Sequence, residues 1–182
     1  MKFDDKFLIG SQIYLRALSV SDVEGNYRKW LNDKEIVQFN SHGRFPMTIE
    51  NLLTYINSTS NSTNTLVLAI IDVNSNSHIG NISLQSINWI DRNAEIAFLL
   101  GEKSFWGKGI MQEAGFLLLD HAFQVLNLHR VYCGTSEDNT GMQKLAKKLG
   151  MVQEGIRKEA IFKNGVYYDI IEFGIVNKNE IL

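Results

Sequence analysis

The chain has 182 residues, of which 45% are hydrophobic and 21% charged, with one cysteine, one proline and a formal net charge of −2. A chain of this length and composition is expected to form one globular domain, residues 1–182, and is neither disordered nor collagen-like. The single cysteine excludes an intramolecular disulfide bond and a metal cluster held by several cysteines.

The charge is unevenly distributed along the chain. Residues 139–163 carry six basic and two acidic side chains, a net charge of +4, which leaves −6 for the rest. With a pI of about 6.1, this local basic segment favours a small anionic ligand over nucleic acid, and a solvated helix face is the alternative. No apolar run is long enough for a membrane span and the N-terminal segment is charged, so we expect a cytoplasmic protein with no membrane partner.

The apolar spacing predicts a mixed α/β fold in the order β-α-α-β-β-β-α-β-α-β-β. Alternating or β-branched runs predict strands over 12–18, 65–72, 78–85, 93–100, 129–135, 156–163 and 166–176. Helical spacing, with serine, threonine or glycine at the ends, predicts helices over 19–31, 48–57, 110–126 and 140–149. A polar loop is expected at 57–65, and Asn164–Gly165 predicts a tight hairpin between the last two strands.

One strand-loop-helix segment has the composition of a phosphate site. After the strand at 93–100, the sequence Phe-Trp-Gly-Lys-Gly at 105–109 leads directly into a helix. Glycines let the backbone turn tightly, and a helix N-terminus presents unpaired N–H groups to an anion. Gln112 stands where a dinucleotide fingerprint needs a third glycine, and Ile110 stands where a P-loop needs Ser or Thr, so neither common nucleotide motif fits.

Residues 93–114 together with the segment from Leu126 to the end of the last strand resemble the GCN5-related N-acetyltransferases. The resemblance is to the branch of ribosomal-protein alanine and serine, spermidine and amino-sugar acetyltransferases. It implies a single α/β (α+β) domain with a mixed, mostly antiparallel sheet flanked by helices. It also implies acetyl-CoA as the acetyl donor and a primary amine as the acceptor.

The resemblance assigns donor-binding roles to several positions. The pyrophosphate loop of the family falls on Ser104–Gly109, where Ser104 replaces the usual Gln or Arg, and the helix start follows it. Backbone groups of the preceding strand are expected to hold the pantetheine arm, together with an asparagine after the next strand, and a lysine of the basic segment is expected to meet the 3′-phosphate. The donor-binding residues so predicted are Phe98, Leu99, Leu100, Trp106, Gly107, Lys108, Gly109, Ile110, Met111, Asn139, Lys144 and Lys148.

The chemistry needs a group that removes a proton, because an amine with a pKa of about 10 is protonated at pH 7. Glu95 is the only acid of its strand and is the candidate general base, and a solvent-facing carboxylate is the alternative. Many relatives place a tyrosine where this chain has Ala146, so Ser136 or a water is the candidate proton donor to the leaving thiolate. Cys133 is expected to be a buried small residue rather than a nucleophile.

The expected acceptor is a small-molecule amine such as an amino sugar or a polyamine, and a peptide or ribosomal-protein N-terminus is the alternative. The acids Glu24, Asp33 and Glu35 are candidates for holding a cationic amine, with a solvated helix face as the alternative. Trp30 and Trp89 either border the acceptor cleft or pack. The four histidines have no metal-ligand spacing, so no metal site is expected. A non-catalytic CoA-binding module is the rival class, and the edge strands of the C-terminal hairpin leave a homodimer or larger homo-oligomer open.

Overall fold

The computed structural model of the chain describes residues 5–40 and 43–178. Eight strands form one sheet in the order β1-β2-β3-β4-β5-β6-β8-β7. The strands are β1 Leu8–Ile9, β2 Ile13–Ala17, β3 Leu66–Asp72, β4 His78–Asn88, β5 Asn93–Leu100, β6 Arg130–Ser136, β7 Val152–Lys163 and β8 Val166–Val176. The helices are α1 Tyr27–Asn32, α2 Ile49–Ser60, α3 Ile110–Gln124 and α4 Thr140–Lys148. The mixed, mostly antiparallel sheet flanked by helices confirms the predicted fold class.

The two faces of the sheet are covered by different helices. α3 and α4 pack on one face, where Ile82, Leu84 and Ile96 belong to a fully apolar core that includes Ala114 and Leu118 of α3. On the opposite face, α1 and α2 build a second, smaller core, in which Trp30, Leu52 and Ile56 meet Leu99 of β5. Because side chains alternate along a strand, the odd-numbered residues of β5 face α1 and α2.

Several predicted boundaries differ from the observed ones. The helix expected over 19–31 is a 3₁₀ turn at Val20–Val23 followed by α1, with Gly25 in the break between them. α2 extends three residues beyond its predicted end at 57, and in this last turn the hydroxyls of Ser58, Thr59 and Ser60 donate to carbonyls of the preceding turn. β4 ends later than predicted, at Asn88, and β7 begins earlier than predicted, at Val152. The two-residue strand β1 was not predicted.

A buried ion pair fastens the 3₁₀ turn to the sheet. Arg16 of β2 donates from both terminal nitrogens to Asp22, at 2.9 and 2.6 Å, and Asp22 also accepts from the N–H of Ser19. Burial alone would raise the pKa of Asp22, but the hydrogen bonds from Arg16, His78 and Ser19 outweigh it and hold this pKa well below its usual range. Asp22 is therefore ionised in the folded protein at neutral pH.

Replacing Asp22 with asparagine is expected to lower the free energy of unfolding at pH 7 by about 1.5–3 kcal/mol, since charged hydrogen bonds are lost. An acid whose pKa is depressed on folding stabilises the protein above its unfolded pKa of about 3.9, and this contribution disappears as the pH falls. The difference between wild type and Asp22→Asn should therefore shrink from pH 6 to pH 2 in urea titrations. Glu24→Gln, an exposed neighbour, is the control, and pH-independent differences for Asp22→Asn would contradict the assignment.

Candidate active site

β5 and β6 diverge after a short stretch of parallel pairing. Only three register pairs join them, Asn93 to Arg130, Ala94 to Val131 and Glu95 to Tyr132. Beyond Glu95, β5 stays paired with β4 as far as Leu100, and β6 stays paired with β8 as far as Ser136. The two strands therefore form a V-shaped gap whose inner edges lack strand partners, and Glu95 lies at its vertex.

The backbone groups along β5 alternate between β4 and the gap. The N–H of Gly101 donates to the carbonyl of Ile79 at the start of β4, so Leu99, two residues earlier, also directs its backbone groups to β4. The backbone groups of Phe98 and Leu100 are directed to the gap, and the Leu100 carbonyl accepts from Trp106 Nε1 at 3.0 Å. The backbone of Phe98 is thus available to a ligand in the gap. The backbone of Leu99 is paired with β4, and its side chain packs on the face covered by α1 and α2.

The glycine loop lies at the open end of β5. Gly107 and Gly109 have φ angles of +75° and +82°, and a Cβ at either position would meet no atom within 4 Å. Glycine is therefore favoured at both positions because of the backbone conformation, and not because a side chain would clash with its surroundings. Gly109 is the N-cap of α3, and within the described parts of the chain no backbone acceptor faces the N–H groups of Gly109, Ile110 and Met111. These N–H groups and the nearby Lys108 are available to an anion.

The residues after β6 are engaged within the protein. Asn139 caps α4, accepting from the N–H of Met142 at 3.1 Å and donating to Thr135 Oγ1 at 2.9 Å. Ser136 is buried and its hydroxyl donates to Asp138 in a short hydrogen bond. Ala146, at the position where relatives place a tyrosine, is fully buried in the core beneath α4. Lys144 and Lys148, one turn apart on α4, are exposed.

A cavity of about 210 Å³ opens beside the vertex of the gap, on the face covered by α1 and α2. Its wall combines the polar side of β4 and β5 with aromatic residues of the N-terminal region and with one residue of β6. The lining residues are Tyr27, Phe39, Asn40, Tyr55, Val67, Asn81, Ser83, Gln85, Glu95, Ala97, Phe98, Leu99 and Gly134. Glu95 is the only ionisable acid or base among them apart from the two tyrosines, whose pKa values burial raises.

The surroundings of Glu95 shift the pKa of its carboxyl group. Burial raises the pKa of Glu95, and the charge of Arg157 on β7 partly opposes this shift. A half-buried carboxylate with a raised pKa beside a cavity is suited to accept a proton. The structure thus places this sequence-predicted residue at the meeting point of the gap and the cavity.

Other residues considered from the sequence lie elsewhere. Asp33 binds Lys103 at 3.0 Å and Glu35 binds the same ammonium, so these acids form a surface ion-pair group outside the cavity wall. Trp30 is buried and donates to Glu102, whereas Trp89 is half exposed and donates to the Thr63 carbonyl. Neither tryptophan lines the cavity.

Most of the cavity wall was not predicted from the sequence. Asn81, Ser83 and Gln85 alternate with the apolar Ile82 and Leu84 along β4, a pattern that equally suits a strand with one face in water. The signal that distinguishes them is burial: Asn81 and Ser83 are each only 5% exposed because α1 and α2 cover this face.

The described residues contain no group of three or more His, Cys, Asp or Glu side chains arranged to hold a metal ion, and no helix among them is long and apolar enough to cross a membrane.

Residues 12–152 match the acetyltransferase (GNAT) domain family. The chain belongs to this family. The probable N-acetyltransferase YjcK of Bacillus subtilis is 31% identical over 179 residues, which cover 95% of this chain and 98% of that protein. A spermidine N(1)-acetyltransferase of Vibrio cholerae is 35% identical over 92 residues, about half of each chain.

Solved structures agree with this assignment. The crystal structure of spermidine N-acetyltransferase from Vibrio cholerae in complex with CoA and spermine has a TM-score of 0.84 at 27% identity and covers 92% of this chain and 96% of that one. The ribosomal L7/L12 α-N-protein acetyltransferase RimL, in complex with coenzyme A, has a TM-score of 0.85 at 20% identity and supports the fold alone. This family member is an acyltransferase, and the V-shaped gap is its candidate active site.

The burial of Cys133 predicts an inert thiol. Cys133 is 3% exposed and its Sγ contacts Met151. Burial, together with the nearby charge of Glu95, raises the pKa of this thiol to about 12. We expect negligible labelling by iodoacetamide at pH 8 in the native protein and rapid labelling in urea, because the thiolate is the reactive form. The chain has one cysteine, so mass spectrometry reads this site directly. Rapid labelling of the native protein would show that the thiol is accessible and reactive.

Proposed function

We propose that this chain transfers the acetyl group of acetyl-CoA to the primary amine of a small molecule, by direct attack while both substrates are bound. The observation that carries the proposal is the position of Glu95, at the vertex where β5 and β6 separate and in the wall of the adjoining cavity. One ligand then occupies the gap, the other occupies the cavity, and the two meet at this carboxylate. The relatives that act on spermidine support a small amine.

The residues at the gap fit the donor. The N–H groups at the start of α3 and the positive φ angles of Gly107 and Gly109 form a cradle for a pyrophosphate, beside the ammonium of Lys108. The free edge of β5 at Phe98 suits the amides of an extended pantetheine arm, which would add to the sheet as a strand does. Lys144 or Lys148 would meet the 3′-phosphate.

The chain supplies proton handling and positioning. Acetyl-CoA, when bound, supplies the acetyl group as a thioester. Glu95, in its ionised form, removes a proton from the amine directly or through one water, which frees the nitrogen lone pair for attack. A thiol is acidic enough to leave as a thiolate (the pKa of a cysteine side chain is about 8.5), so a strong acid in place of Ala146 is not essential. Ser136 remains the candidate proton donor in this scheme. In the structure its hydroxyl donates a hydrogen bond to Asp138.

Glu95→Gln is expected to lower kcat/KM about 10²–10⁴-fold, because the amide cannot accept a proton. Since the ionised carboxylate is the active form, kcat/KM of the wild type should rise as the pH passes upward through the raised pKa of Glu95, and this limb should vanish in the variant. Thiol release against pH measures both. Glu50→Gln, an exposed change at the start of α2, is the control. An unchanged rate and profile for Glu95→Gln would remove its role as the base.

An amine panel with polyamines, a nucleotide-linked amino sugar and short peptides tests the activity itself. Thiol release with a small amine supports the proposal. Tight acetyl-CoA binding without thiol release for any amine would favour a non-catalytic CoA-binding module instead. A peptide N-terminus acetylated more efficiently than every small amine would favour the ribosomal-protein or peptide branch.

A matched pair of glycine substitutions tests the phosphate cradle. Gly109→Ala and Gly165→Ala both place a Cβ on a residue with φ of +82° and no atom within 4 Å, so each should lose about 1–2 kcal/mol of unfolding free energy. Gly165 lies in the β7–β8 hairpin turn, whereas the Gly109 methyl would enter the space that the phosphates need. Calorimetry should show weaker CoA binding for Gly109→Ala only. Equal CoA affinities in the two variants would place the pyrophosphate elsewhere.

A further inference from the structure

The side chain of Arg157 on β7 reaches β6 across the strand that separates them. β8 lies between β7 and β6 in the sheet, and Nη2 of Arg157 lies 3.5 Å from the point where a Cβ on Gly134 of β6 would stand. Gly134 and Glu95 both line the cavity at the vertex of the gap. The guanidinium therefore lies beside the cavity wall, on the face of the sheet that carries Glu95.

Glu172 of β8 holds the guanidinium in this position. Its Oε1 is 2.7 Å from Nε of Arg157. Glu172 is paired in register with Gly134 on one side and with Gly155 on the other, so its two neighbours on this face have no side chain. A Cβ on Gly155 would stand 3.3 Å from Glu172 Oε2, and the two glycines thus leave room for the ion pair.

The ion pair itself contributes little to folding. Its side chains are 57% and 42% exposed. An exposed ion pair gains little net free energy, because water screens the charges and two flexible side chains lose freedom. The position of Arg157 beside the cavity points instead to an electrostatic effect on Glu95.

Several other groups around Glu95 carry no charge at neutral pH. Gln85, its register partner on β4, is an amide. Burial raises the pKa values of Tyr27 and Tyr55 in the cavity wall and of the Cys133 thiol on β6, so all three are neutral at pH 7. None of these groups offsets the effect of burial on the Glu95 carboxyl.

At the closed end of the gap, β6 contributes Tyr132 and Arg130. Tyr132 is the register partner of Glu95, and the Arg130 guanidinium lies 5.7 Å from the centroid of its ring. Both terminal nitrogens of Arg130 donate to Glu154, so this guanidinium is paired at two atoms, and Arg130 does not line the cavity. Arg157 is the cation whose charge acts on Glu95.

We infer that Arg157 is a positioning residue, whose positive charge beside the cavity keeps Glu95 in its proton-accepting form. The physical basis is the attraction between guanidinium and carboxylate, which favours the ionised acid and opposes the burial that raises the pKa of Glu95. The inference rests on the proposed function and deepens it. It makes the β7–β8 hairpin part of the active site, although none of its described residues lines the cavity.

Arg157→Gln is expected to move the acidic limb of kcat/KM to higher pH by about 0.3–1 unit, the effect of one partly exposed charge on a neighbouring carboxyl. The loss of the charge leaves burial unopposed, so Glu95 binds its proton more tightly. Below the limb, kcat/KM should fall about two- to tenfold, and above it the variant should approach the wild type. Thiol release with a small amine, measured from pH 5 to pH 9, gives both limbs.

Two further variants separate charge from structure. Arg157→Lys keeps the positive charge and should return the limb most of the way to its wild-type position. Lys158→Gln removes the same charge from the next residue, whose Nζ is bound to Asp169, and should leave the limb unchanged. Urea titrations should give similar unfolding midpoints for Arg157→Gln and wild type. An unmoved limb in Arg157→Gln, or a loss of rate that is equal at every pH, would overturn the inference while leaving acetyl transfer intact.

NMR of protein isotopically labelled at the glutamate side-chain carboxyls tests the inference without turnover. The Glu95 signal is identified by its absence from Glu95→Gln. Its titration midpoint should lie at higher pH in Arg157→Gln than in the wild type, and should be unchanged in Lys158→Gln. Equal midpoints in Arg157→Gln and wild type would overturn the inference. A shifted midpoint in a protein that releases no thiol with any amine would instead overturn the proposed function.

Discussion

The separation of β5 from β6 is the constraint on which the rest of the molecule depends. Each strand keeps its partner on the far side, β5 with β4 and β6 with β8, but the two strands share no register pair after Glu95. Backbone groups that lack a partner in a sheet interior are unfavourable unless water or a ligand binds them. The glycine loop at the end of β5 and α4 at the end of β6 both lie at the mouth of this gap.

The two faces of the sheet differ in polarity: one carries the larger apolar core and the other carries the polar side chains that line the cavity. Beneath α3 and α4, Ile82 and Leu84 of β4 and Ala94 and Ile96 of β5 belong to the larger apolar core. Beneath α1 and α2 the odd-numbered residues are Asn81, Ser83, Gln85 and Glu95, which line a cavity. Covering this polar side with helices removes Glu95 from water, which raises its pKa.

The long, strongly patterned elements were predictable from the sequence, and the short or irregular ones were not. α3 and the strands β3, β5 and β8 fall within about two residues of their predicted bounds because each has a clear apolar period. The two-residue strand β1 has no period to read. The break at Gly25 follows a turn whose Asp22 binds Arg16 of β2, which is a tertiary contact. The last turn of α2 is rich in serine and threonine, which are typical of loops and caps, so its composition did not predict a helix.

The sequence by itself determined the fold class, the glycine loop and the β7–β8 turn, because positive φ angles at Gly109 and Gly165 are a property of residue type and local spacing. It also singled out Glu95 as the acid of its strand. Only the tertiary structure decided that Glu95 stands at the vertex of the gap and that Asp22, His78 and Asn81 form one network. Asp22 and His78 are 56 residues apart, and such contacts are set by strand register and by helix packing over the sheet, which no local pattern encodes.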